Sequence, residues 1–297
     1  MRTTYRLLTL IVLSFLISSI SVASSYRDAT GKLLTISSSP KRIISLAPNI
    51  TEILYAIGAE EQLVGVTDWC KYPSKAQTKT IVGGFINPNL EVIAHLKPDL
   101  IIMTADSNQG KVYDQLVQLK FRVFVVNPRN LNQTLETIRQ LGNITGHAAN
   151  SDRLAQGLQN RINKVESRVA KSSKPRVLFL WSINPMISCG RNTFTDDLIS
   201  RSGGINVMGN TKTNYPQINY EQIIRLNPDI IISAAMGSEI GHKIPTSFKQ
   251  LKDVSAIKNN RYYTINPDDI ARPAPSIVTG FETISMIIHP INKKVQK

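Results

Sequence analysis

Cysteine is nearly missing from this chain: Cys70 and Cys189 are the only two in 297 residues. Two thiols do not build a metal centre, and the four histidines (His95, His147, His242 and His289) are dispersed without metal-ligand spacing. Catalytic signatures are missing too. There is no G-x-S-x-G elbow, no P-loop, no G-x-G-x-x-G and no H-E-x-x-H, which argues against an enzyme. Acidic residues are scarce, 21 against 35 Lys and Arg, for a formal net charge of +14. That surplus is scattered. Only Lys293, Lys294 and Lys297 cluster loosely, and no basic run is interleaved with aromatics. Without a clustered footprint the charge reads as general surface charge and not as a nucleic-acid site. Beyond the N-terminus no stretch is long and apolar enough to span a bilayer.

What is present begins with a targeting segment. Arg2 and Arg6 form a positive n-region, Leu7 to Ile20 is mostly apolar, and Ser21-Val22-Ala23 offers small residues at a cleavage site. This pattern predicts a signal peptide over residues 1–23. No cysteine lies near the site to accept a lipid, so the mature protein is expected to be soluble and exported to the periplasm.

The mature chain contains an internal repeat. Residues 89–103 read NLEVIAHLKPDLIIM and residues 219–233 read NYEQIIRLNPDIIIS, identical at eight of fifteen positions at an offset of 130. So long an offset points to a duplicated lobe and not to a solenoid. In each copy Asn89 or Asn219 is a candidate helix N-cap, and Glu91 or Glu221 follows in the first turn, where the helix dipole favours a carboxylate. Ile93 and Leu96, or Ile223 and Leu226, mark the buried face, and Pro98 or Pro228 stops the helix. The β-branched runs that follow suit a buried parallel strand.

Further strands are expected at Arg42–Leu46, Arg122–Val126 and Arg176–Leu180, with helices over Thr51–Ile57, ended by Gly58, and Gln133–Leu141, ended by Gly142. From about His147 to Ala170 runs one long polar helix, with Leu154, Leu158, Ile162, Val165 and Val169 at helical spacing. The expected fold is therefore α/β. Two Rossmann-like lobes, 24–144 and 173–297, each a parallel sheet with flanking helices, are joined by a linking helix within 145–172, with a ligand cleft between them.

The motifs Arg42-IISLAPNITEILYAIGA, Leu63-VGVTDWCKYP, Asn89-LEVIAHLKPDLII, Ile183-NP, Ser202-GGINV, Tyr215-PQINYEQII and Asp268-DIARPAPSIVTGFETI, in this order, cover about Lys41 to Pro290. Together they resemble the helical-backbone periplasmic substrate-binding proteins of ABC importers. The second lobe, with Trp181-SINPMISCGRNTF, is most similar to the cobalamin-binding members. The resemblance implies capture of cobalamin or a related corrinoid as transported ligand, with no resident cofactor. It also implies delivery by a monomer to an ABC permease dimer and its ATPase in the inner membrane. It places Pro48 and Asn49 at the turn after the first strand, Trp69, Phe85 and Tyr215 as aromatic walls of the cleft, and Asp268 and Arg272 at the ligand edge. Thr104 and Ile187 stand where cobalamin binders carry aromatics, and Ser202 replaces the cysteine of a family disulfide. Haem, a ferric siderophore or another metal complex is the alternative ligand class.

Two further expectations follow. Cys70 and Cys189 each lie in a loop after an early strand of a lobe, so both are expected at the cleft as free thiols, since a bridge there would lock the lobes. The resemblance makes Glu91 and Glu221 the acids, one per lobe, that meet arginine pockets on the two permease subunits. The competing reading leaves them as helix-end stabilisers, with Glu221 paired to Arg225.

Overall fold

The computed structural model describes residues 24–105, 110–234 and 244–290. The expected signal peptide, His242 and the Lys293, Lys294 and Lys297 cluster lie outside the described residues. A small hairpin, β1 (Ser24–Arg27) and β2 (Leu33–Ile36), comes first. The first lobe follows, with β3 (Ile43–Ser45), α1 (Pro48–Ala56), β4 (Leu63–Val66), β5 (Thr80–Ile81), α2 (Leu90–His95), β6 (Leu100–Thr104), α3 (Gly110–Gln118), β7 (Val123–Val126) and α4 (Leu131–Thr145). Then comes the linking helix, α5 (Ala148–Val169). The second lobe holds β8 (Arg176–Ile183), β9 (Met186–Ser188), α6 (Phe194–Arg201), β10 (Ile205–Asn206), α7 (Tyr220–Leu226), β11 (Ile230–Ala234), α8 (Ser255–Lys258), β12 (Tyr262–Ile265) and α9 (Ile277–Ile288).

The first sheet runs β5-β4-β3-β6-β7, all parallel, and the second runs β10-β8-β11-β12, also parallel, with β9 antiparallel on β8. Their central strands are largely apolar, with Ser45, Thr104 and Ser233 as buried polar exceptions. Every residue of β3, β6 and β11 is buried, because helices cover both faces of each sheet. Sheet order makes β3, β6 and β7 the counterparts of β8, β11 and β12.

The structure shows what the repeated residues do. The Asn89 side chain accepts from the Glu91 and Val92 amides, and Asn219 accepts from Gln222 N, whose side chain returns the bond. Ile93 and Ile223 are fully buried. Helices α2 and α7 end in left-handed residues, Lys97 at φ 46° and Asn227 at φ 41°, immediately before Pro98 and Pro228. Asp99 then accepts from the Lys41 and Arg42 amides, and Asp229 accepts from Arg176 N. The Arg42 and Arg176 guanidiniums donate to the carbonyls of Leu96 and Leu226, at the ends of those same helices. The repeat is thus a splice that fixes a helix end, a strand start and the neighbouring strand in each lobe.

Several sequence-level boundaries move. Helix α1 starts at Pro48 and not at Thr51, because the fixed φ of proline suits the first helical position. Pro48 and Asn49, expected at the turn after the first strand, form the first turn of this helix. Helix α4 does not stop at Gly142. It continues to Thr145 and ends at Gly146, whose φ is 81°. Gly142 is needed for another reason: a Cβ there would collide with the Ser151 side chain, where α4 packs against α5. Strand β8 runs past Leu180 through Trp181 to Ile183.

The two thiols are free, as the sequence suggests, but neither faces the cleft. Cys70 is buried in the core and takes hydrogen bonds with Thr51 Oγ1 and Thr67 Oγ1, both at 3.2 Å. Cys189 is fully buried, and burial pushes its thiol far up, leaving no thiolate near neutral pH. Packing behind the cleft walls, and not exposure on a loop, decides their position.

Two measurements check this packing. Ellman titration of the native protein should find no rapidly reacting thiol, and the unreduced, denatured protein should yield two. Gly142→Ala should lower stability by about 1–3 kcal/mol in urea unfolding, the usual cost of forcing extra volume into a tight contact.

Candidate functional site

In each lobe the loops leave the carboxyl ends of parallel strands and face the other lobe, where ligands of open α/β sheets bind. Between them lies a cleft of about 860 Å3, counting the solvent at its mouth. Pro48 and Asn49 follow β3, Phe85 follows β5, Thr104 ends β6, and Asn127 to Arg129 follow β7. Facing them are Asn192 to Phe194 at the start of α6, Asn214 and Tyr215 on the loop after β10, and Ala271 to Pro273 after β12.

This lining has a definite chemistry. Four carboxamides (Asn49, Asn127, Asn192 and Asn214) and three rings (Phe85, Phe194 and Tyr215) border it, with Arg129 and Arg272 as its charged groups. No His, Cys, Met, Asp or Glu is among the described residues that line it. Two donors beside it, Asn49 Nδ2 and Arg272 Nε, are buried without a hydrogen-bond partner, a costly state for polar groups out of water. No cluster of three potential metal ligands occurs among the described residues.

Five of the seven ligand-binding residues expected from the sequence converge here: Pro48, Asn49, Phe85, Tyr215 and Arg272. Two do not. Asp268 stands outside the lining, exposed, and pairs with Arg272 at 3.4 Å. Trp69 is also off the lining. It is 64% exposed, on the loop between β4 and β5, where Asp68 N donates to Gly83 O beside the segment carrying Phe85. Thr104 lines the cleft without a ring, whereas Ile187 bridges to Gln217 away from it. Sequence reading missed Asn127 to Arg129 and Asn192 to Phe194. The Asn127-Pro-Arg-Asn130 run after a strand was the available signal, since Pro and Asn mark a turn there.

Glu91 and Glu221 are outside the cleft lining, each exposed in the first turn of the helix that follows the loop carrying Phe85 or Tyr215. Neither carboxylate has a hydrogen-bond or ion-pair partner among the described residues, and the pairing of Glu221 with Arg225 is not formed. Neither supports its helix by a side-chain cap, because Asn89 and Asn219 do that.

Known proteins share this arrangement. The vitamin B12-binding protein of Vibrio cholerae is 27% identical over 263 residues, covering 89% of this chain and 94% of that protein. The crystal structure of the periplasmic vitamin B12 binding protein BtuF of Vibrio cholerae superposes with a TM-score of 0.76 at 26% identity, covering 86% of this chain and 99% of that one. A periplasmic heme binding protein from Pseudomonas aeruginosa shares the fold, with a TM-score of 0.74 at 22% identity and coverage of 87% and 96%. The family model described as periplasmic binding protein matches residues 43–268, most of the two lobes and the helix between them. The chain belongs to the periplasmic binding protein family.

Proposed function

We propose that this protein captures a corrinoid, cobalamin or a close relative, in the periplasm and delivers it to an ABC permease dimer in the inner membrane. The observation that carries the ligand is the cleft lining of four carboxamides and three rings. A corrinoid is a large flat ring with amide arms. Aromatic and apolar faces suit the ring, and each asparagine can both donate to and accept from an amide arm. The similarity to vitamin B12-binding proteins supports the same reading.

Haem is the second reading, favoured by Arg129 and Arg272, which would suit anionic side groups. Haem iron needs His, Cys, Met or Tyr as an axial ligand, and of these only Tyr215 is among the described lining residues. On the corrinoid reading Tyr215 and Phe85 face each other across the cleft as walls. Trp69, exposed on the neighbouring loop, is a rim contact to the bound ring. Asp268 acts through Arg272.

The docking reading rests on the repeat. Of its eight identical pairs, the two Asn, two Asp, two Leu, two Pro and the three isoleucine pairs each hold a cap, a tether, a helix end or the core. Of these pairs, Glu91 and Glu221 have no side-chain partner among the described residues. An exposed carboxylate repeated on both lobes and free of protein partners among the described residues fits an arginine on each of two permease subunits, since guanidinium and carboxylate pair through two parallel hydrogen bonds.

Calorimetry with cyanocobalamin at micromolar protein should show binding, and Tyr215→Ala should weaken it by about 1–3 kcal/mol, the scale of burying one aromatic side chain. No heat with cyanocobalamin, together with a Soret band on adding haem, would replace the corrinoid by haem. Glu91→Ala combined with Glu221→Ala should leave ligand affinity unchanged and abolish uptake and permease pull-down. Normal uptake by that double variant rules the docking role out.

A further inference from the structure

Two acids cross between the lobes in opposite directions. Glu52 lies on α1, the first helix of the first lobe, and is buried. Its Oε1 accepts from Ser276 N at 2.7 Å and its Oε2 from Ser276 Oγ at 3.0 Å. Ser276 is the N-cap residue of α9, the last described helix of the second lobe. Asp197 lies on α6, the first helix of the second lobe. Its Oδ2 accepts from Leu131 N at 2.9 Å, and Leu131 is the first residue of α4, the helix that closes the first lobe.

These contacts are counterparts. Helices α1 and α6 follow the equivalent strands β3 and β8, the second by way of β9. Helices α4 and α9 follow the equivalent strands β7 and β12. Each capped helix comes directly after a cleft loop, Asn127–Arg129 or Ala271–Pro273, and each acid sits within the first turns of a helix whose start also lines the cleft. Both carboxylates point at a helix N-terminus, where free amides and the helix dipole favour an acceptor.

We propose that Glu52 and Asp197 form a reciprocal clamp that positions the cleft: each ties the cleft loop of one lobe to the first helix of the other, and the pair sets the separation of the walls before ligand arrives. The clamp makes Glu52 and Asp197 positioning residues, because neither lines the cleft. Arg272, which does, stands near Glu52, and Arg201 stands near Asp197. Burial pushes both carboxyls above the ordinary range. Ser276 and Arg272 work against this at Glu52. Leu131 and Arg201 do so at Asp197, where Asp196 and Glu166 push the same way as burial. Burial therefore works against the charge. Hydrogen bonding to the oxygens is what holds the clamp, and a neutral amide of the same shape should keep it.

The clamp is read without any ligand, so its failure is separate from failure of the corrinoid reading. Spin labels at Ala94→Cys and Ile224→Cys occupy equivalent exposed positions on α2 and α7, while native Cys70 and Cys189 are buried. Pulsed dipolar spectroscopy on the ligand-free protein should give one narrow distance distribution. Glu52→Ala with Asp197→Ala should broaden and displace it, each single alanine variant should broaden it in part, and Glu52→Gln with Asp197→Asn should restore the parent width. An unchanged distribution in the alanine variants overturns the clamp, and so does a broadened one in the amide variant. Should the double alanine variant fail to fold, the single variants and the amide variant decide by the same criteria.

Discussion

A single helix has to carry both lobes, and the architecture depends on how α5 is held. Its 22 residues span about 33 Å at 1.5 Å per residue, without a proline to bend it. Ala155, Leu158, Ile162, Val165 and Val169 bury one face along its length. From the first lobe, α4 packs on it at the Gly142–Ser151 approach, and Asn150 donates to Ile57 O. From the second, Glu282 of α9 receives Arg161 through two hydrogen bonds, at 2.9 and 2.7 Å, and Arg168 donates to Ser285 Oγ. Arg201 of α6 reaches Glu166 on the same helix and Asn132 on α4. A connection pinned to both lobes by core packing and by ion pairs is a strut, and it frames the cleft between them.

That constraint explains where polar groups are concentrated. Loops at the carboxyl ends of parallel strands carry free backbone groups and short polar side chains, so the cleft inherits asparagines from both lobes. The apolar runs that precede them stay inside the sheets. The thiols follow the same logic. Cys70 and Cys189 come just after strands but turn into the packing behind the loops, where a small, weakly polar side chain fits.

Local patterns made much of the fold legible. The repeated Asn-x-Glu helix and its Pro-Asp strand, the β-branched runs and the apolar stripe of α5 each follow from short-range chemistry, and their elements stand where those patterns put them. The departures come from contacts distant in sequence. Gly142 looked like a helix end because glycine usually is one, but its role depends on Ser151 across a helix pair. The cysteines looked like loop residues because nothing nearby in sequence marks the core behind the cleft. Of the site, the chain signals the loops that border the cleft, but not which of their side chains line it: Trp69 and Asp268 lie on such loops yet off the lining, since whether a loop side chain points into a cleft or along its rim depends on the other lobe.

The duplication gives a last step. Within the repeat, identity survives at positions with a structural task, such as the Asp99 and Asp229 tethers, and at one pair of first-turn acids, Glu91 and Glu221, whose carboxylates have no partner among the described residues. Those two acids sit on α2 and α7, and each of these helices is joined through its Arg-bonded end to a central strand of its sheet. The spacing between the two carboxylates therefore follows the spacing between the two sheets, and that is fixed by α5 and by the Glu52 and Asp197 contacts. Two-point docking on a permease dimer needs such a fixed separation, because a flexible pair would lose part of the gain of the second contact to ordering. The features that hold the cleft at one width are thus the same features that set the distance between Glu91 and Glu221, so on the proposed function one set of contacts would serve both ligand geometry and docking.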